Sequence, residues 1–91
     1  MNNIWTVEWK DSAKKQLLRL DPPIQKEITS YLRERISGSN DPTMFGKGLK
    51  YNKVGLWSYR VGDYRIICKH KKDVLVVLVV DVGNRKDIYK Y

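Results

Sequence analysis

Leu56-Trp57-Ser58-Tyr59-Arg60-Val61-Gly62-Asp63-Tyr64-Arg65-Ile66-Ile67-Cys68-Lys69 reads as two strands and the turn that joins them. Aromatic and β-branched residues fill both flanks, and the Gly-X pair Gly62-Asp63 suits a two-residue type II′ turn, whose first position needs a positive φ. Such a turn sets the register: Val61 stands opposite Tyr64, and Arg60 stands directly opposite Arg65 on the same sheet face. Like charges so placed destabilise a strand pair. Three arrangements relieve them: both side chains splay into solvent, a carboxylate such as Asp63 or Asp81 neutralises one, or an external anion such as phosphate lies between them.

Beyond this hairpin, His70-Lys71-Lys72-Asp73 reads as a polar turn with His70 at the surface. Val74-Leu75-Val76-Val77-Leu78-Val79-Val80 follows, an unbroken β-branched and Leu run that marks a strand in the middle of the sheet. Gly83 is expected to stop it, leaving a polar tail that holds Arg85, Lys86, Tyr89 and Lys90. Ahead of the hairpin, residues 43–55 contain Gly46, Lys47, Gly48, Lys50, Lys53 and Gly55 without any period, and read as a mobile loop with at most a short strand. At the N-terminal end, Ile4-Trp5-Thr6-Val7-Glu8-Trp9 alternates, placing Trp5, Val7 and Trp9 on one face of a first strand. Asp11 or Ser12 then caps a short helix with Ala13, Leu17 and Leu20 inward and Lys14, Lys15 and Arg19 outward. Pro22-Pro23 breaks it, and Asp21 with Pro22 forms the N-cap and first position of a second helix striped by Ile24, Ile28, Tyr31, Leu32 and Ile36. The expected fold is α+β over a single domain, residues 1–91: an N-terminal strand, an antiparallel helix hairpin, then a three- to four-stranded, mainly antiparallel sheet with the helices on one face.

Composition narrows the function classes. Eighteen Lys plus Arg against ten Asp plus Glu give a net charge of +8 on 91 residues, which suits nucleic acid, an acidic protein or an anionic surface as partner. No apolar run approaches the roughly 20 residues of a membrane span, the first residues do not resemble a secretory signal, and the lone Cys68 has no internal disulfide partner. A cytoplasmic protein without membrane contact is expected. The sequence holds no His-Cys zinc cluster, no Gly-rich phosphate loop ending in Lys-Ser or Lys-Thr, and no Ser-His-Asp set around its one histidine. Asp11, Asp21, Asp41, Asp63 and Asp73 fall at caps and turns, where Asp serves the backbone, so neither a metal nor a cofactor is expected. On residue type alone, Tyr89 closes the edge of the core and Lys47, Lys50 and Lys53 are solvated loop charges.

Tyr59-Arg60-Val61-Gly62-Asp63-Tyr64-Arg65-Ile66-Ile67 and the closing Val82-Gly83-Asn84-Arg85-Lys86-Asp87-Ile88-Tyr89 resemble, at this separation, the RelE toxins of the RelE/ParE superfamily. The resemblance covers nearly the whole chain. It implies a RelE-like fold and the toxin of a type II toxin-antitoxin system: a metal-independent endoribonuclease that enters the A site of the 30S ribosomal subunit, cleaves messenger RNA there and so inhibits translation. It also implies a RelB-like antitoxin, through which the complex binds operator DNA. Position by position, Arg65 matches the catalytic Arg of the Tyr-Arg motif, Arg85 the second Arg and Tyr89 the tail Tyr. Lys47, Lys50, Lys53, Arg60 and Lys86 are the expected RNA and phosphate contacts. Relatives carry lysines just ahead of the hairpin where this chain has Leu56-Trp57-Ser58, and Asn84 stands where they often have His or Lys. The rival reading within the superfamily is a ParE-like toxin that poisons DNA gyrase; a more distant one is a basic RNA- or ribosome-binding module without catalysis.

Overall fold

The computed structural model describes residues 4–39, 41–49 and 55–84. In chain order the elements are β1 (Thr6–Trp9), α1 (Asp11–Leu18), α2 (Pro22–Tyr31), a π-helical turn (Leu32–Ile36), a 3-10 turn (Pro42–Met44), β2 (Lys47–Gly48), β3 (Leu56–Val61), β4 (Tyr64–Lys71) and β5 (Val76–Asn84). The strands form one sheet in the order β1-β5-β4-β3-β2. Among the described residues only β1 and β5 pair in parallel; the other pairs are antiparallel. This is the expected α+β fold.

The helices grow from the stripes in the sequence. Ala13 and Leu17 of α1 and Ile28 of α2 are buried, while Lys14, Lys15 and Arg19 face solvent. α1 begins one residue earlier than a cap at Asp11 requires and two earlier than one at Ser12: Lys10 is the N-cap, with no side-chain bond, and Asp11 lies in the first turn. Asp21 does precede Pro22 at the start of α2, its carbonyl accepting from the amides of Ile24 and Gln25. The Gln25 amide secures the break between the helices, donating to the carbonyl of Leu20 at 2.7 Å and of Leu18 at 3.3 Å. Ile28, Leu32 and Ile36 recur every four residues, which overshoots an α-helical turn by roughly 40° each time. The π turn, closed by the Ser37 amide on the Leu32 carbonyl, widens the last turn and keeps Ile36 fully buried beside Leu32.

Trp5, Val7 and Trp9 share the helix-side face, packed with Tyr59, Val61, Ile66, Cys68, Val77, Val79 and Val82. One irregularity makes that set possible. Cys68 pairs with Val79 but Ile67 pairs with Asp81, so Val80 is an extra residue and the inward-outward alternation of β5 reverses beyond it. Without the bulge Val82 would face outward and Asp81 into the core. The Val82 amide is taken up instead by the Gln16 side-chain carbonyl at 2.9 Å.

Three expectations need correction. The last strand starts at Val76, not Val74: Val74 is exposed and Leu75 adopts a φ of 53°, so residues 72–75 are the turn. Gly83 does not stop β5 but pairs with Arg65 within it. His70 is not a surface turn residue. It belongs to β4 and is half-buried on the helix side, with its ring 5.9 Å from that of Trp5 and 5.2 Å from that of Trp57.

Candidate functional site

Gly62 has a φ of +57° and Asp63 does not share it, as a type II′ turn requires. Val61 accordingly pairs with Tyr64, and Arg60 pairs directly with Arg65, on the sheet face away from the helices. Of the three ways to relieve that pair, neutralisation by Asp63 or Asp81 is not used: among the described residues no carboxylate oxygen lies within 4.0 Å of either guanidinium. Among the described residues the Arg60 side chain makes a single hydrogen bond, from Nε to the Gly62 carbonyl at 3.3 Å, inside its own hairpin. Glu27 and Glu34 share a hollow with Arg60 on the helix side of the hairpin tip without pairing with it. Opposite Arg65, Gly83 carries no side chain to crowd the guanidinium.

β2 supplies a third cation. Lys47 pairs with Ser58, so Lys47, Ser58, Arg60 and Arg65, with Gly46, line one cleft of about 310 Å³. The segment that carries Lys47 is fastened from the other face of β3. Trp57 donates its indole N–H to the Phe45 carbonyl at 2.7 Å, and Tyr59 donates its hydroxyl to the Pro42 carbonyl at 2.9 Å. Because the Tyr59 proton is used there, His70, whose Nε2 lies 2.8 Å from the same oxygen, must donate to it. Asp41 closes the 3-10 turn by accepting from the amide and hydroxyl of Thr43, which lower its carboxyl pKa. Gly46 is required where the segment meets β3. Its φ is +67°, and a Cβ there would stand 2.2 Å from the Ser58 carbonyl oxygen.

The titratable groups behind the cleft are structural. Burial pushes the Tyr59 hydroxyl and the Cys68 thiol far up, so neither ionises near neutrality. Burial, and secondarily Lys72, lowers the His70 pKa, against an opposing pull from Asp41. Among the described residues no three His, Cys, Asp or Glu side chains converge into a metal site.

Of the residues singled out in the sequence, Lys47, Arg60 and Arg65 come together. Lys50, Lys53, Arg85, Lys86 and Tyr89 lie outside the described residues. Sequence reading missed Ser58 as a cleft residue, although its place two residues before Arg60 in a strand already put both on one face. It also missed the His70–Tyr59–Pro42 chain, because His70 was assigned to a turn.

The profile of the ParE toxins of type II toxin-antitoxin systems matches residues 7–89. The chain belongs to this toxin family. Within the wider RelE/ParE group it is similar to toxin RelG of Mycobacterium tuberculosis, 28% identical over 86 residues, or 94% of this chain and 97% of RelG. A chain of the Mycobacterium tuberculosis RelBE2 toxin-antitoxin complex shares 26% identity and a TM-score of 0.82, covering 90% of this toxin and 92% of that chain. A chain of the RelB-RelE antitoxin-toxin complex from Methanococcus jannaschii, 25% identical, gives a TM-score of 0.68 with 92% and 96% covered. No helix among the described residues of the toxin is long and apolar enough to cross a membrane.

Proposed function

We propose that this toxin is a ribosome-dependent endoribonuclease that cleaves messenger RNA in the 30S A site and is neutralised by a cognate RelB-like antitoxin in the cytoplasm. The facing Arg60–Arg65 pair, with no carboxylate between its members among the described residues and with Lys47 beside it, carries the reading. Two guanidiniums held opposite each other at a cost to the sheet form a preorganised seat for a phosphate, whose bound charge removes that cost.

Cleavage without a metal proceeds by attack of the 2′-hydroxyl on the adjacent phosphorus. It leaves a 2′,3′-cyclic phosphate and a 5′-hydroxyl. A base takes the 2′ proton, an acid returns one to the departing 5′-oxygen, and cations hold the charge that builds on the phosphorane. Arginine keeps its proton at all working pH, so Arg60, Arg65 and Arg85 bind phosphate and stabilise charge. Tyr89 is assigned as base and a loop lysine (Lys47, Lys50 or Lys53) as acid, with Lys86 contributing to RNA binding. A phenol serves as base only where surrounding cations lower its pKa. Lacking a His pair, the site leaves substrate orientation to the ribosome, so free RNA is a poor substrate.

The RelB-containing complexes among its structural relatives support an antitoxin partner, through which operator DNA is bound. The family profile's own description favours a second reading, a ParE-like gyrase poison. Primer extension on a defined messenger in programmed ribosomes tests the first. Cuts within the A-site codon by the wild type, slowed about 100-fold or more by Arg65→Ala and by Tyr89→Phe, are expected. An intact messenger, with loss of supercoiling in a gyrase assay, would transfer the toxin to the second reading.

A further inference from the structure

The structure gives Ser58 surroundings that an idle serine would not need. Its side chain is on the outer face of β3, between Lys47 across the β2 pairing and Arg60 two residues on, and it lines the same cleft as Arg65. The residue is only 5% exposed. A hydroxyl so enclosed ordinarily has a hydrogen-bond partner. Here the Oγ has no hydrogen-bond partner among the described residues, nor is it sealed from the cleft. Among the described residues it is a donor left open in a hollow whose other polar side chains are all cations. Cations attract an anion from any direction, whereas a buried hydroxyl bonds only an oxygen that reaches it.

We propose that Ser58 is a phosphate ligand: its hydroxyl donates to a non-bridging oxygen of the phosphate that Arg60, Arg65 and Lys47 hold. This rests on the phosphate-seat reading of the cleft, and deepens it by naming the contact that sets how far the phosphate enters. The serine then adds a directional bond to the charge that Lys47, Arg60 and Arg65 supply. Ser58 touches the bound anion and transfers no proton.

Inorganic phosphate titrated into the full-length toxin at fixed ionic strength, followed by amide NMR shifts, tests this without the ribosome. Wild type should saturate, with shifts at Lys47, Ser58, Arg60 and Arg65. Ser58→Ala should bind about tenfold more weakly, the usual effect of losing a hydrogen bond to a charged group, while Ser58→Thr, which keeps the hydroxyl, should bind within about twofold of wild type. An unchanged unfolding midpoint for Ser58→Ala separates lost binding from lost fold. Equal affinity of wild type and Ser58→Ala, with Arg65→Gln weakened, would overturn the role of Ser58 and leave the phosphate seat standing. Failure of wild type to bind, or Arg65→Gln binding as well as wild type, would overturn the seat and the proposal together.

Discussion

Arg65 and Ile66 are neighbours on β4 and point to opposite worlds. Ile66 is fully buried against Tyr59, Val82 and the helices, where every apolar side chain gains from every other. Arg65 faces another arginine across the ladder, and among the described residues no carboxylate oxygen lies within 4.0 Å of it. One face of the sheet is therefore locally consistent, while the other holds a conflict that stability alone does not explain. Conflicts of this kind concentrate at functional sites, because the missing partner is the ligand.

Substitutions on either side of the sheet sharpen that contrast. Ile66→Ala should be the most damaging to the fold, costing about 2–5 kcal/mol in urea unfolding, since it opens a cavity against close-packed neighbours. Gly46→Ala comes next. A side chain at positive φ costs about 1–3 kcal/mol before the contact with the Ser58 carbonyl is counted, and displacing the segment should also weaken phosphate binding through Lys47. A smaller effect belongs to the core side. Because folding lowers the His70 pKa, the unfolded chain binds the proton more readily, so stability is full above the ordinary value of 6.5 and falls as pH drops from there toward the folded value. His70→Gln, which keeps a donor toward Tyr59, should flatten the stability curve in that window. The Asp41 contribution is lost only as pH falls below 3.8 toward its lowered folded pKa, so the two are separable by chemical denaturation across pH.

The two faces also differ in how far they can be read from the sequence alone. Apolar periodicity is a strong signal, and the stripes of α1 and α2, the alternation in β1 and the II′ turn carry directly into the structure. The Arg60–Arg65 pairing follows from the turn alone, because a two-residue loop leaves one register. What alternation does not reveal is where it breaks. Nothing in Val79-Val80-Asp81-Val82 marks Val80 as the bulge, yet that residue decides that Asp81 leaves the core and Val82 enters it. His70 was hidden for a related reason: its lysine neighbours dominate a local reading, whereas its burial comes from Trp5 and Trp57, distant in sequence. The parallel pairing of β1 with β5 is likewise a long-range event. In the cleft, charge made Lys47, Arg60 and Arg65 visible, while Ser58 becomes significant only through its burial and its lack of a partner among the described residues.

The most direct test of an uncompensated arginine pair is a double-mutant cycle on stability with Arg60→Gln, Arg65→Gln and the double variant, by urea unfolding in a buffer free of phosphate. Each single substitution should stabilise the toxin by about 0.2–1 kcal/mol, and the second should add nothing once the first has removed the repulsion. Loss of stability in either single variant, or gains that simply add, would contradict it: the two guanidiniums would then be compensated within the protein, and the case for a phosphate between them would fall.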